Sequence, residues 1–312
     1  MADAGALLFC TAQKNVLHLL TMTLSFHPLT IDDRKAVQAI TLTAGRRNCN
    51  YSFANLLGWQ FLYQTEVCVT DEAVILRFSH EAKRGYMVCP AHGLSTGLLQ
   101  ALLQDCPSGL TVIGLEDDQV AELDTLGVSF EKTAVRDQYD YLYLRSSLAT
   151  LQGGHLNAKR NHLHRFCEAY PDFRYQALTP ALFDDCRRLT EIWAAEKAAS
   201  ASIATEHRVM ETVFEHWDEL GMIGGCVFAD GRLIAFTYGA AVTTDTFDVC
   251  IEKADRQTEG AFAIINQQFA QHLPEQFVYL NREDDMGIAG LRKAKLSYHP
   301  ETLLTYNVVH FT

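Results

Sequence analysis

The chain has 312 residues, 48% hydrophobic and 21% charged, with a formal net charge of −12. That length predicts about two domains, and the composition supports a buried core and argues against extended disorder. The acidic balance argues against indiscriminate binding to nucleic acid or anionic lipid, which depends on neutralising phosphates. Nine cysteines are scattered with no C-x-x-C, and H-E-x-x-H is absent. They read as reduced, buried thiols of a cytoplasmic protein, with no metal site. No apolar run approaches the ~20 residues of a transmembrane helix, so no stable membrane span is expected.

In chain order, residues 1–21 are mildly apolar but lack a basic start, which fits a signal peptide poorly. They read as a disordered or artefactual extension ahead of Met22. "LSFHPL" predicts a short strand. Thr30 and Asp33 form a capping box opening a helix to about Ala44. "SFANLLGWQFLY" predicts a second helix and "TEVCVTDEAVILRF" a hairpin turning at Asp71-Glu72, with "GYMVCP" as third strand. "STGLLQALLQDC" is helical, "LTVIGL" a strand, "DDQVAELDTLG" a helix, and "VSFEKT" and "DYLYLR" are strands. The order then recurs. "FRYQAL" is a strand, and Thr179 caps a helix with Pro180 at its first position, running to about Lys197. Glu206 to Leu220 is a further helix. "MIGGCVFADGRLIAFTYG" is a hairpin on Asp230-Gly231 and "DTFDVCIEK" a third strand. "GAFAIINQQFAQHL" is a helix, "QFVYL" a strand, 287–296 a helix, and "TLLTYNVVHF" the last strand.

This recurrence predicts two similar α+β modules. They divide near "SSLATLQGGHLNAK", into an N-terminal module over 22–150 and a C-terminal one over 151–312 that carries the site. The element order resembles that of GNAT-type acetyltransferases, which implies a mixed, mostly antiparallel sheet flanked by helices in each module. "DYLYLRSSLATLQGGHLNAKRNHLHRFCEAYP" and "YLNREDDMGIAGLRKAKLSYHP" resemble the opening and closing segments of the C-terminal half of a bacterial family of unassigned function. The G-L-R-x-x-K-x-x-x-x-P core, Gly290 to Pro300, resembles the end of the catalytic domain of phosphatidylglycerol lysyltransferases. Those enzymes use two tandem GNAT-like modules to move an aminoacyl group from tRNA to a lipid head group.

The resemblance implies that strands 245–253 and 276–281 splay apart, and that acyl donor and acceptor meet between them. Their ends carry Glu252, Lys253, Asn281, Arg282 and Glu283. Glu252 is a candidate general base, or else an ion-pair partner of Lys253 or another neighbour. Gln257 to Phe262 matches the first half of the acetyl-CoA pattern [QR]-x-x-G-x-[GA] and fails at Phe262, and Glu259 adds negative charge there. Acetyl-CoA is thus a less expected donor than aminoacyl-tRNA, and Gly260 can simply let a helix start close to the sheet. Asp284, Asp285, Lys293 and Lys295 suit the ends of a helix. The further acids and bases suit a substrate of both charges. Asn281 and Arg282 are then expected to position the donor, Glu283, Asp284 and Asp285 the amino group, and Arg292 and Lys295 a phosphate. Glu252 and Asp285 are the candidate catalytic carboxylates.

From Tyr141 through Cys167 there is no Asp or Glu. Arg145, Lys159, Arg160 and Arg165, with His155, His162 and His164, form either a solvated helix face or a surface for tRNA, a nucleotide or anionic head groups. His162 and His164 point apart, against a metal pair. Trp59, Phe61, Tyr63, Trp193 and Trp217 read as core. No Ser-His-Asp, P-loop or dinucleotide fingerprint occurs. The expected activity is transfer of an activated acyl or aminoacyl group to an amine or hydroxyl of a small molecule or lipid head group. The alternatives are an acetyl-CoA-dependent N-acetyltransferase and a non-catalytic binding protein of the same fold.

Overall fold

The computed structural model describes residues 22–80, 83–107, 109–196 and 201–311. The predicted extension over 1–21 lies outside the described residues. Fourteen described strands form two sheets. They are β1 (His27–Pro28), β2 (Glu66–Val69), β3 (Ala73–His80), β4 (Lys83–Pro90), β5 (Thr111–Leu115), β6 (Phe130–Ala134) and β7 (Asp140–Leu144), then β8 (Arg174–Ala177), β9 (Ile223–Ala229), β10 (Arg232–Ala241), β11 (Thr246–Ala254), β12 (Tyr279–Asn281), β13 (Thr302–Leu304) and β14 (Asn307–Phe311). The first sheet runs β1-β2-β3-β4-β5-β14-β6 and the second β13-β7-β12-β11-β10-β9-β8.

The repeat is real at this level. Each sheet contains a parallel pair, β4–β5 and β11–β12, with its other pairings antiparallel. A helix precedes the second strand of each, Thr96–Asp105 and Ala261–His272. That is the compact way to return a chain parallel to itself. The architecture is two tandem GNAT-like α+β modules.

Sheet membership does not follow the expected division into 22–150 and 151–312. β7 inserts between β12 and β13 of the second sheet, and β14 between β5 and β6 of the first. The predicted last strand is therefore two strands in two sheets, parted at Thr305–Tyr306, with Tyr306 buried. Local pattern fixes that a strand forms; which edge it joins depends on pairing more than a hundred residues away. The modules also share a core. Met87 and Tyr51 from the first half pack in one cluster with Phe183, Phe214, Trp217 and Tyr238 from the second.

Three local expectations shift. The capping box on Thr30 and Asp33 opens a 3-10 turn, and the helix that follows, Arg34–Thr41, stops short of Ala44. The helix predicted over 52–63 breaks at Trp59 (φ −94°, ψ 0°) into Phe53–Gly58 and Gln60–Tyr63. The expected linker holds a helix, Arg145–Thr150, ended by Leu151 in the left-handed region. The Asp230-Gly231 hairpin forms as predicted, with φ of 51° and 73°.

Candidate active site

β11 and β12 pair only over Thr246–Asp248 and Tyr279–Asn281. β11 then continues to Ala254, while the chain leaves β12 through a tight turn. Glu283, Met286 and Gly287 adopt left-handed backbone there, with φ of 55°, 50° and 70°. Such strain in two non-glycine residues persists only where surrounding bonds over-determine it. The splay expected between these strands is thus present. Asp248, Cys250 and Glu252 lie beside the gap on β11, but a register shift between Asp248 and Ile251 puts Asp248 on the face of Tyr238 and Ala240, while Glu252 meets Asn266 on the other. The β10–β11 register shifts between Tyr238 and Ala240, and β11 carries the extra residue. Gly239 lies so close that a Cβ would stand 1.8 Å from the Asp248 carbonyl oxygen.

Two cavities open from this gap. The larger, about 640 Å³, is lined by Cys49, Asn55, Trp59, Tyr63, Asp137 and Asp284 among others. The smaller, about 400 Å³, is lined by Lys159, Cys250, Glu252, Phe262, Arg282 and Tyr298 among others. Both are bounded by Glu283, Leu291 and Lys295. Trp217 is core, but Trp59 and Tyr63, predicted as core, form the wall of the larger cavity. The side chain of Trp193 lies outside the described residues.

A buried polar network holds the shared wall. Asn281 donates to Asp140 Oδ2 (2.7 Å) and to the Arg47 carbonyl (2.8 Å), and accepts from the Glu283 amide (2.7 Å). Asp140 also accepts from the Cys49 amide at 2.7 Å. Asn55 Nδ2 donates to both Asp248 Oδ2 and Glu283 Oε1, each at 2.9 Å. Lys295 donates to the carbonyls of Arg282 (2.6 Å), Glu283 (3.1 Å) and Asp284. Burial pushes Glu283 up to about 8 against the pull of Asn55 and Lys295, and Asp284 up to about 6. Burial likewise raises Asp140 and Asp248 and lowers Lys295.

Asp248, Cys250 and Glu283 place ligand atoms within 4.8 Å of one another, the spacing of a metal site. Burial raises the pKa of all three, so their proton-bearing forms are favoured and a cation must displace protons.

Several predicted roles are corrected. Asp285 is fully buried. It accepts from Arg292 (2.8 and 2.7 Å), Tyr141 (2.6 Å), Arg136 (3.2 Å) and the Gly287 amide (3.0 Å). The Arg292 guanidinium above all holds it well below the usual carboxylate range. It anchors the turn and has no lone pair to offer a substrate. Arg292 is spent on Asp285 and on Asp137 (2.6 Å), and Lys295 on its three carbonyls, so the expected phosphate grip does not form. Asn281, fully buried, positions the Glu283 backbone and not a donor. Lys253 pairs with Glu206 at 2.5 Å and not with Glu252. Glu252 accepts instead from Arg282 (2.9 Å) and Asn266 (3.3 Å) across the gap.

The basic stretch also separates. Arg145 donates to the carbonyls of Phe277 and Ala270, and Arg160 to those of Leu151 and Gly153. Arg165 pairs at 2.8 Å with Glu259, from another part of the chain. Of the four, Lys159 lines the smaller cavity. Gly260 does what close helix packing requires: it starts Ala261–His272 at φ 85°, and a Cβ there would meet Phe166 Cβ at 2.9 Å. Asn55, Asp140 and Asp248 were missed. Asp248, a lone acid inside the apolar run "TFDVCI", is the available signal; Asn55 and Asp140 come from the first half and meet the gap only through the tertiary fold.

Residues 43–309 match the family model of phosphatidylglycerol lysyltransferase, C-terminal. The chain belongs to this family. Among solved structures, a conserved protein of unknown function from Bacteroides thetaiotaomicron is 37% identical, with a TM-score of 0.90 over 93% of this chain and 100% of that one. L-PGS from Bacillus licheniformis is 10% identical with a TM-score of 0.61, over 89% of this chain and 92% of that one. FemX shares the fold at a TM-score of 0.59 and 9% identity, over 91% and 97%. An uncharacterised protein of Mycoplasmoides gallisepticum is 21% identical over 68% of this chain and 79% of its own length. In family and fold the chain is acyltransferase-like. No helix among its described residues is long and apolar enough to cross a membrane.

Proposed function

We propose that this protein transfers an activated acyl or aminoacyl group, with an aminoacyl-tRNA as the favoured donor, to an amine or hydroxyl acceptor. One observation carries the reading: two cavities share the half-buried Glu283 in their walls. Two substrates can then meet there, one from each cavity. Family membership supports the reaction class. Such a transfer needs positioning and one proton movement. The acceptor N–H or O–H attacks the donor's ester carbonyl. A bond forms from acceptor to carbonyl carbon, the proton passes to Glu283, the ester C–O bond breaks, and the proton goes to the departing alkoxide.

Glu283 suits this role better than Glu252 or Asp285. Its carboxyl titrates at about 8, near working pH, where a base is both available and strong enough. Asp285 is locked by two arginines, and Glu252 is engaged with Arg282. The test is single-turnover transfer from labelled aminoacyl-tRNA and, separately, from acetyl-CoA, to amine and hydroxyl acceptors. Transfer from the aminoacyl ester that is lost in Glu283→Gln supports the reading. Transfer from acetyl-CoA alone, or equal rates in Glu283→Gln, overturns it.

A further inference from the structure

The smaller cavity contains a cation pair that the transfer chemistry leaves unused. Arg282 spends Nη2 on Glu252, while Nη1 is buried without a hydrogen-bond partner. Its guanidinium carbon lies 5.1 Å from the ring centre of Tyr298 and 5.7 Å from that of Tyr143. Lys159 Nζ stands 4.0 Å from the ring centre of Tyr298 and has no ion-pair or hydrogen-bond partner among the described residues. Two cations therefore flank one tyrosine ring. The single carboxylate between them, Glu252, is already bound on both oxygens, to Arg282 and Asn266. Burial, and then the like charge of Arg282, lower the pKa of Lys159. A half-buried cation beside another is costly unless an anion joins them. A further cavity of about 290 Å³ adjoins through Lys159, Phe262 and Tyr298. It lies at the start of the helix Ala261–His272, and its wall also holds Asp255, Arg256 and Glu259, so the charge there is mixed and the anion is expected on the Lys159 and Arg282 side.

We propose that Lys159 and Arg282 form an anion subsite that binds a phosphate ester of one of the two substrates. It replaces the expected grip by Arg292 and Lys295, both of which are consumed within the turn. The inference deepens the transfer reading, resting on it for what the phosphate belongs to but not for the binding itself. The neutral wall, Val249, Leu291, Ala294 and Phe262, suits the carbon skeleton of a small ester.

The experiment is calorimetric titration of the intact protein with glycerol phosphate and with adenosine monophosphate. Binding of either supports the subsite, and the preference between them says whether the phosphate comes from a polyol head group or a nucleotide. Lys159→Gln should weaken that binding about tenfold or more, and Lys159→Arg should keep it within about threefold of wild type, because one charge-assisted hydrogen bond is at stake. Lys159 makes no hydrogen bond or ion pair among the described residues, only its contact with the Tyr298 ring, which Lys159→Arg keeps, so its variants decide the matter even where Arg282→Gln does not fold. Absence of binding by both esters, or equal affinity in Lys159→Gln, overturns the subsite. Glu283→Gln separates the two readings. With transfer lost and phosphate binding kept, both stand. With phosphate binding in a protein that transfers nothing, only the subsite stands.

Discussion

Two charged stretches stand out in this chain, 281–295 and 145–165, and they spend their charge differently. In the first, acids and bases satisfy one another inside the fold. Asp285 binds two arginines, and Lys295 binds the carbonyls of the strained turn. In the second, the acid-free run is quieted by groups from elsewhere, Glu259 on Arg165 and main-chain carbonyls on Arg145 and Arg160. Each stretch leaves little for a ligand: Glu283 and one nitrogen of Arg282 from the first, Lys159 from the other. A dense cluster of charge in a sequence therefore says less about binding than the one member that tertiary structure leaves unmatched.

Asp285 and Glu283 make the sharpest contrast, and the largest expected effects fall on them. Asp285→Ala removes a buried carboxylate and leaves Tyr141 and the two half-exposed arginines without it. It should cost about 1–3 kcal/mol in chemical denaturation, the cost of leaving hydrogen-bonding groups unsatisfied. The Asp285 pKa lies below its unfolded value, so its contribution is present at neutral pH. It should fade as pH falls below about 4, and the variant should lack that acid-side loss. An unchanged denaturation midpoint would deny that this carboxylate anchors the turn.

Glu283→Gln should instead lower single-turnover transfer by about 10²–10⁴-fold. The pH dependence of stability should run the other way. The Glu283 pKa, about 8, is raised above its unfolded value, so the stability it gives is full below about 4.3 and is lost as pH rises through about 8. The glutamine variant should hold its melting temperature from neutral to pH 9 better than wild type. The wild-type transfer rate should also rise with pH up to about 8, as the base form appears. A rate independent of pH there would remove Glu283 from the proton step.

The smallest effect belongs to the outer stretch. Arg165 and Glu259 are 61% and 63% exposed, so Arg165→Gln should change stability by less than ~1 kcal/mol, and less still in high salt. Combined with Lys159→Gln, it should weaken phosphate binding no further than Lys159→Gln alone. An added loss would show that the whole basic face, and not one lysine, meets the anion.

The sequence by itself determined most elements and their order. The Asp230-Gly231 turn, the Thr30–Asp33 box and the alternating strands are written in nearest neighbours, whose energetics act over a few residues. The resemblance carried by its element order also implied that 281–295 lies at the splayed strands. Only the tertiary structure decided how the two halves exchange β7 and β14, since strand pairing over more than a hundred residues leaves no local trace. The fate of each charge was decided there too. Whether a carboxyl is pushed up, as at Glu283, or held down, as at Asp285, depends on burial and on partners such as Asn55 and Arg136 that no spacing within 279–300 reveals.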